Sequence, residues 1–207
     1  MTARGARVGR VAALLLAAGA ARRFGSQKLL HPVAGVPLVR RSAESLLTAA
    51  LDLVIVVVGS DAAAVRAALE GLPVRVVDAP DWEDGMAASL RAGVGALGDD
   101  VAAAVIALGD EPSVGANVID PLIDAWRSGV ALAVAPTFGG AQRPPVLFDR
   151  ALFPELAALR GDHGARRVLE RDPLRVQLVP LDLPEPHDVD RPEDVAAVER
   201  RLGGAER

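Results

Sequence analysis

The segment Leu16–Lys28 combines small residues with cationic side chains, a combination that suits the binding of a triphosphate. Small residues at 17–19 allow a backbone to approach a ligand closely, and Arg23 and Lys28 follow them. Backbone N–H groups together with Arg and Lys side chains are typical of phosphate sites. The segment is neither a Walker A loop nor a G-x-G-x-x-G fingerprint. A solvated basic loop is the alternative interpretation.

Two acidic segments further along the chain suit a hard divalent cation. Asp110 directly follows the apolar run Val101–Leu108 and Gly109, where a carboxylate could hold a cation against substrate phosphates. Asp188 and Asp190 alternate with Val189, so an extended backbone would place both carboxylates on one face. Two such carboxylates repel each other unless a cation or solvent separates them. The alternatives are a turn at 110 and a helix cap at 190.

A further segment surrounds Gly85, which opens a predicted helix and leaves its first N–H groups free for an anion or a base edge. An ordinary helix start is the alternative. Other chemistries find little support: the three histidines lack the spacing of metal ligands, and no serine lies in a G-x-S-x-G motif.

Short apolar runs alternate with helical stretches in the first two thirds of the chain, and this alternation predicts the elements that position these residues. Strands are predicted at Val8–Leu16, Leu53–Val58, Val74–Asp78, Val101–Leu108 and Val130–Pro136. Helices are predicted at Pro37–Leu51, Asp61–Glu70, Gly85–Leu97 and Gly115–Ser128. Repeated β-then-α units indicate a three-layer α/β/α, Rossmann-like fold with a mostly parallel sheet. Ligands then bind beyond the carboxyl ends of the strands, where these segments lie.

The rhythm changes after Pro136, which predicts a mixed C-terminal extension of the same sheet. Extended pieces are predicted at Val146–Phe148, Leu174–Val179 and Asp188–Asp190, and helices at Arg150–Arg160, Asp162–Glu170 and Pro192–Leu202. We therefore predict a single domain over residues 1–207. Its nucleotide-binding half spans about 8–136, and its acceptor-binding and closing half spans 137–207.

Composition and charge exclude several classes of protein. The chain contains no cysteine, which excludes disulfides, thiolate catalysis and cysteine-ligated metals. Its net charge of -4 does not resemble a nucleic-acid footprint. No apolar run reaches the ~20 residues of a membrane span. Arg4, Arg7 and Arg10 before Val11–Ala18 have the outline of a signal peptide, but cleavage would remove the first strand. We expect Val8–Lys28 to remain in a cytoplasmic protein.

Five motifs together resemble the nucleotidyltransferases that attach CMP or GMP to molybdopterin, within the wider NTP-transferase superfamily. Leu16–Lys28 is similar to the signature L-A-A-G-x-x-x-R-F-G-x-x-K, and Gly85–Gly93 to G-M-x-x-S-L-x-x-G. Gly109–Pro112 is similar to G-D-x-P, Gly161–Arg166 to G-D-x-G-A-R, and Asp188–Asp194 to D-x-D-x-P-E-D. The five follow the family's order over nearly the whole chain.

The resemblance implies transfer of CMP from CTP to a phosphorylated acceptor such as molybdopterin, with release of pyrophosphate. It implies that Arg23, Lys28 and Asp110 are catalytic, and that Asp110 holds Mg²⁺ together with Asp188 or Asp190. The implied nucleotide-binding residues are Leu16, Ala17, Ala18, Gly19, Arg23, Lys28, Gly85, Ser89 and Gly109. Ala18 favours CTP, because the cytidylyl branch tends to have A-A-G where the guanylyl branch has A-G-G.

The resemblance leaves the acceptor and the partners less well defined. A transient contact with a molybdoenzyme or its chaperone is implied. Two positions depart from the pattern: Ala21 replaces the usual Gly or Ser, and Gln142–Pro145 replaces G-H-P or G-N-P in a loop expected to face the acceptor. The alternatives are GTP as donor, a sugar-phosphate-type acceptor, and a non-catalytic nucleotide- or cofactor-binding protein of the same fold.

Overall fold

A computed structural model describes residues 7–20, 24, 27–191 and 193–205, with side chains as far as 201. The strands are β1 Arg10–Ala17, β2 Pro32–Val33, β3 Val36–Pro37, β4 Leu53–Val58, β5 Arg75–Asp78, β6 Val101–Leu108, β7 Ala133–Phe138, β8 Ala141–Gln142, β9 Val146–Asp149 and β10 Val176–Leu181. The α-helices are α1 Leu38–Leu46, α2 Ala62–Ala68, α3 Met86–Gly95, α4 Ala116–Ser128, α5 Phe153–Ala157, α6 Arg166–Arg171 and α7 Asp194–Ala205.

The main sheet has the strand order β10-β7-β9-β6-β1-β4-β5, and β8 pairs with β7 at its side. The pairs β10–β7, β6–β1, β1–β4 and β4–β5 are parallel. Strand β9 lies antiparallel between β6 and β7. The predicted fold class, a mostly parallel α/β/α sheet with a mixed C-terminal extension, is confirmed.

Alternate residues of β1 face opposite helical layers, which explains why this strand is apolar throughout. Val11, Ala13 and Leu15 join the core formed with α1, α2, α4 and α7. Ala12 and Leu14 join the core formed with α3, α5 and α6. All five side chains are at most 1% exposed. The sheet is thus covered on both faces, and its carboxyl ends are the accessible edge.

Several element bounds differ from prediction for local reasons. Strand β1 starts at Arg10 because Val8 is fully exposed and Gly9 has a φ of +143°. Strand β10 starts at Val176 because Pro173–Arg175 forms a 3-10 turn, in which the side chain of Asp172 accepts from the Leu174 N–H. Helix α1 ends at Leu46 rather than Leu51, since turns follow it.

Acidic residues stand at the starts of α2 and α7, and their side chains behave differently. Asp61 occupies the position before α2, but its side chain caps no helical N–H and instead accepts hydrogen bonds from Gln27 and Ser60. Helix α7 begins at Asp194, whose carboxylate accepts from the backbone N–H groups of Asp190 and Arg191. The first helical residue thus also ties down the segment before it.

Among the described residues, no helix is both long enough and apolar enough to cross a membrane.

Candidate active site

The loops that follow β1, β4, β5 and β6 meet at the carboxyl edge of the sheet. Leu16 and Leu108 are paired in register, and the Gly109 N–H donates to the Leu16 carbonyl at 3.0 Å. The Ser60 N–H donates to the Ala18 carbonyl at 3.0 Å. These backbone hydrogen bonds hold three loops around one cavity of about 620 Å³.

Most of the predicted nucleotide-binding residues line this cavity. They are Leu16, Ala18, Gly19, Lys28, Gly85, Ser89 and Gly109, and the predicted metal ligand Asp110 lines it as well. Ala17 instead contributes its side chain to the core beneath, where it is 1% exposed. The predicted residue Arg23 lies outside the described residues. The structure therefore brings together three predicted segments, 16–28, 85–89 and 109–110, that are far apart in the sequence.

Lys28 joins two of the predicted carboxylates. Its ammonium lies 2.6 Å from Asp110 Oδ2 and 2.9 Å from Asp190 Oδ1. The Lys28 and Asp110 side chains are only 15% and 17% exposed. Burial alone would lower the pKa of Lys28, but the ion pairs with Asp110 and Asp190 outweigh burial and raise it above its ordinary value.

The segment that carries Asp190 is fixed to the Asp110 loop through its backbone. The Val189 N–H donates to the Asp110 carbonyl at 3.2 Å, and the Val189 side chain is 0% exposed. Burial of Val189 turns Asp188 and Asp190 away from the core, as the alternation predicts. The Asp190 side chain contacts Lys28. The Asp188 side chain is exposed, and its negative charge helps to raise the pKa of the nearby Glu111.

The donor set around Lys28 fits a hard cation, because Asp110 and Asp190 already direct carboxylate oxygens at one positive centre. Within the ranges that the structure describes, no group of three or more His, Cys, Asp or Glu side chains is arranged to hold a metal. Two protein carboxylates with the remaining positions filled by water and phosphate oxygens are typical of Mg²⁺ sites.

Glu111, next to Asp110, is a buried acid that the sequence motifs do not single out. Its side chain is 7% exposed, and its Oε2 has no hydrogen-bond partner among the described residues. The pKa of Glu111 is raised to about 8, mainly by burial and also by the charges of Asp110, Asp188 and Glu185, against a lowering by Arg143.

The start of α3 is joined to the loop before α6. Gly85 has a φ of +97°, and a Cβ there would lie 2.7 Å from the carbonyl of Gly161. The Ala87 N–H donates to the Gly161 carbonyl at 3.1 Å, and the Met86 N–H reaches Asp162 Oδ1 at 3.4 Å. Asp162 also lines the first cavity. The motifs that begin at Gly85 and Gly161 therefore pack directly against each other.

A second cavity of about 430 Å³ shares the wall formed by Leu16, Met86 and Leu108. Its remaining lining is Ile106, Gln142, Arg143, Pro144, Val146, Gly164, Ala165, Arg166 and Leu169. Apolar side chains form most of it, and Arg143 and Arg166 add positive charge. Arg143 is ion-paired with Glu185.

Sequence reasoning did not single out Trp82 and Asp162 as cavity residues, whereas Glu83 and Asp84 belong to the predicted segment around Gly85. Trp82 directly follows the loop of β5, so the same rule that placed the other loops at the carboxyl edge could have found it. Asp162 lies in the motif Gly161–Arg166, whose position opposite Gly85 is a tertiary contact that has no local signal.

Comparison with known proteins identifies relatives over nearly the whole chain. The profile of the MobA-like NTP transferase domain matches residues 13–177. Nicotine blue oxidoreductase of Paenarthrobacter nicotinovorans is 33% identical over 202 residues, which cover 92% of this chain and 94% of the relative. Purine catabolism protein PucB of Bacillus subtilis is 31% identical (91% and 96% covered). Molybdenum cofactor guanylyltransferase of Rhodobacter capsulatus is 33% identical (93% and 97% covered).

Solved structures show the same architecture. The homologue of Mycobacterium tuberculosis Rv0371c from Mycobacterium sp. strain JC1 superposes with a TM-score of 0.84 at 26% identity, with 95% of this chain and 98% of that chain covered. Rv0371c from M. tuberculosis H37Rv in complex with manganese gives a TM-score of 0.79 at 26% identity, with 93% and 98% covered.

Proposed function

Because the chain belongs to the MobA-like NTP transferase family, we propose that it transfers CMP from CTP to a phosphorylated acceptor, with Mg²⁺, and releases pyrophosphate. The observation that carries the proposal is the cluster of Lys28, Asp110 and Asp190, of which Lys28 and Asp110 line the first cavity. This cluster combines a cation for phosphates with two carboxylates for a metal.

The proposed chemistry requires no protein nucleophile. An oxygen of the acceptor phosphate attacks the α-phosphorus of the nucleotide, and the bond from the α-phosphorus to the bridging oxygen breaks. Pyrophosphate leaves with the electron pair of that bond. Lys28 and Arg23 would stabilise the negative charge that builds on the leaving group.

Asp110 would hold the Mg²⁺ together with Asp190, which shares the Lys28 ammonium with it; Asp188 is the alternative second ligand. A bound divalent cation would neutralise phosphate oxygens and orient them for displacement. The Lys28 ammonium now lies between the carboxylates of Asp110 and Asp190. When the metal and the nucleotide bind, it would have to leave these carboxylates and contact the phosphates. The manganese complex of Rv0371c supports use of a divalent metal in this fold.

The choice of CTP rests on the first loop. Ala18 is 4% exposed and lines the first cavity, and its small side chain occupies the position where the guanylyl branch tends to have glycine. GTP is the alternative donor, because one relative is named as a guanylyltransferase.

The second cavity supports a separate site for the acceptor. It adjoins the first cavity and would take a molecule with an apolar body and an anionic group, as a molybdopterin-type acceptor or another phosphorylated compound has. In this proposal the nucleotide-binding half, about 8–136, and the acceptor-binding half, 137–207, differ in the substrate that they bind. They are not separate in space, because each half contributes residues to both cavities. Asp162 reaches the first cavity, and Leu16 reaches the second.

The alternative functions predict different results in one assay, the release of pyrophosphate. We propose a cytoplasmic enzyme that passes its product to a molybdoenzyme or its chaperone. A sugar-phosphate transferase would release pyrophosphate with another acceptor, and a non-catalytic binder would release none. One relative is named as an oxidoreductase, which suggests redox chemistry as a further alternative. The chain has a G-x-G-x-x-G string at residues 93–98, but it lies at the C-terminal end of α3 rather than between a strand and the start of a helix, where the dinucleotide-binding fingerprint occurs.

The test measures pyrophosphate release from each of the four NTPs with Mg²⁺, with and without molybdopterin. We expect CTP with molybdopterin to give the highest kcat/KM. Asp110→Asn should abolish turnover, because an amide cannot supply the charge that the metal needs. Asp124→Asn, at an exposed position on α4, is the matched control and should retain activity. Near-normal turnover by Asp110→Asn would exclude the proposed metal site.

A further inference from the structure

Trp82 lines the nucleotide cavity in a way that the proposed chemistry does not use. It begins the 3-10 turn Trp82–Asp84 after β5, and its side chain is partly buried. The cavity wall beside it includes Ala18, Gly19 and Gly85, which project little or no side chain. An aromatic side chain thus borders the cavity beside residues that leave space for a ligand.

The position of the indole is fixed from behind. A Cβ on Gly59 would lie 2.6 Å from Trp82 Cγ, 2.7 Å from Trp82 Cβ and 2.8 Å from the Ala18 carbonyl. Only glycine allows the backbone after β4 to approach both the indole and the first loop so closely. The Trp82 N–H also donates to the Ala79 carbonyl at 3.2 Å. The Cβ and Cγ atoms of Trp82 thus pack against the backbone of Gly59, so the side chain is held in place before any ligand binds.

The only other tryptophan of the chain has a purely structural environment. Trp126 is 1% exposed, and its indole N–H donates to Asp149 Oδ2 at 2.9 Å. Within the described part of the chain, by contrast, the indole N–H of Trp82 has no hydrogen-bond partner. A large aromatic side chain at a cavity wall with an unused donor offers both stacking area and a polar contact to a ligand.

We infer that Trp82 is the platform on which the base of the nucleotide packs, and therefore a positioning residue for the donor substrate. This inference rests on the proposed function, since it assumes that the first cavity holds a nucleotide. The phosphates would lie towards Lys28 and Asp110, and the base would lie at the opposite side, towards the turn that carries Trp82. Stacking on an aromatic face is tolerant of base identity, so Trp82 contributes affinity for all nucleotides.

Binding measurements separate the base from the phosphates. Isothermal titration calorimetry would compare CTP with inorganic triphosphate, which lacks a base, in the presence of Mg²⁺. Trp82→Ala should weaken CTP binding about 5- to 100-fold, the range for loss of one stacked base. It should leave the affinity for inorganic triphosphate nearly unchanged, and it should raise KM for CTP more than it lowers kcat. A purely structural tryptophan would instead affect both ligands together.

Intrinsic fluorescence gives a second reading that does not depend on the folding of an alanine variant. CTP should change the tryptophan emission of the wild type and of Trp126→Phe, in which Trp82 is the sole tryptophan. The emission of Trp82→Phe should not respond to CTP, and inorganic triphosphate should have little effect on any of the three proteins.

The outcomes distinguish this inference from the proposed function. Calorimetric binding of CTP with no change in Trp82 emission, or with unchanged affinity in a folded Trp82→Ala protein, would overturn the platform while leaving the transferase intact. A wild-type protein that binds neither CTP nor any other NTP would overturn both.

Discussion

At the level of single residues, Lys28 holds together two carboxylates that would otherwise repel each other. Its ammonium contacts Asp110 and Asp190 within hydrogen-bonding distance, and the cluster is largely shielded from water on the Lys28 and Asp110 side. In the proposed mechanism, Lys28 occupies the position that the divalent cation would take. The two cations would then compete for the same oxygens until a triphosphate offers Lys28 another partner.

The variant Lys28→Ala should separate these roles. We expect kcat/KM for CTP to fall roughly ten- to hundredfold, because a charge-assisted phosphate contact contributes about 1.5–3 kcal/mol. Without nucleotide, stability should fall by about 1–3 kcal/mol, since the ammonium no longer offsets the repulsion between the carboxylates of Asp110 and Asp190. Affinity for Mn²⁺ alone should rise, as measured by calorimetry.

The matched control for Lys28→Ala is Arg66→Ala, which removes the cation of an exposed ion pair with Asp78. It should leave activity, Mn²⁺ affinity and stability close to wild type. If Lys28→Ala binds Mn²⁺ no better than wild type, Lys28 does not occupy the metal position.

Glu111 makes the stability of the native protein dependent on pH. Its pKa of about 8 in the folded state lies above its ordinary value of 4.5, mainly because it is buried. A carboxyl group with a raised pKa favours folding while it is protonated, so its contribution is lost as pH rises from about 5 to 8. Glu111→Gln cannot ionise and should become more stable than wild type over this range, by a few kcal/mol at pH 8.

Urea unfolding of both proteins in metal-free buffer, from pH 4 to pH 8.5, would measure this effect. The difference in unfolding free energy should be smallest near pH 4, where both side chains are neutral, and should grow steadily with pH. A difference that is constant across the range would show that Glu111 ionises as easily in the folded as in the unfolded protein.

The sequence alone was sufficient to predict functional residues that lie in the loops directly after strands. Lys28 and Asp110 both follow strands that lie next to each other, so the carboxyl-edge rule brings them together. The contact between Lys28 and Asp190 joins residues 162 positions apart and depends on Val189 binding the Asp110 loop. Glu111 is likewise influenced by charges from later segments, Arg143, Glu185 and Asp188, and no local pattern encodes that proximity.

At the level of elements, the junction between α3 and the loop before α6 forms one wall of the nucleotide cavity. Gly85 adopts a φ of +97° and leaves no room for a Cβ against Gly161. Helix α3 was predicted because its apolar spacing is local. The hairpin of β2 and β3 and the short strand β8 were not predicted, because two-residue strands have no periodicity.

Gly85→Ala should therefore damage both stability and nucleotide binding. A side chain at Gly85 is strained by the positive φ and would collide with the Gly161 backbone, so we expect a loss of about 1–3 kcal/mol. Gly95→Ala is the matched control at the other end of α3, where a Cβ meets nothing within 4 Å. It should be neutral or stabilising, since alanine favours helix. Melting temperatures and CTP affinities of both variants would check this, and equal effects would contradict it.

At the level of the whole molecule, the C-terminal segment is built into the middle of the sheet. Strand β9 lies between β6 and β7, so β7 reaches the rest of the sheet only through β9. The mixed character of this extension was predicted from the break in rhythm after Pro136. The insertion of β9 was not, because strand order depends on tertiary pairing rather than on the pattern within a strand.

This topology predicts that the two functional halves fold as one unit. A chain that ends at residue 136 would keep most of β7 but lose β8, β9 and β10, with which β7 pairs. It would leave β6 with an open edge and remove α5 and α6 from the face of α3. We expect this fragment to lack cooperative unfolding by circular dichroism, whereas the full chain should unfold in one calorimetric transition with equal calorimetric and van't Hoff enthalpies. Two separate transitions in the full chain, or a fragment that unfolds cooperatively, would show that the nucleotide-binding half is an independent domain.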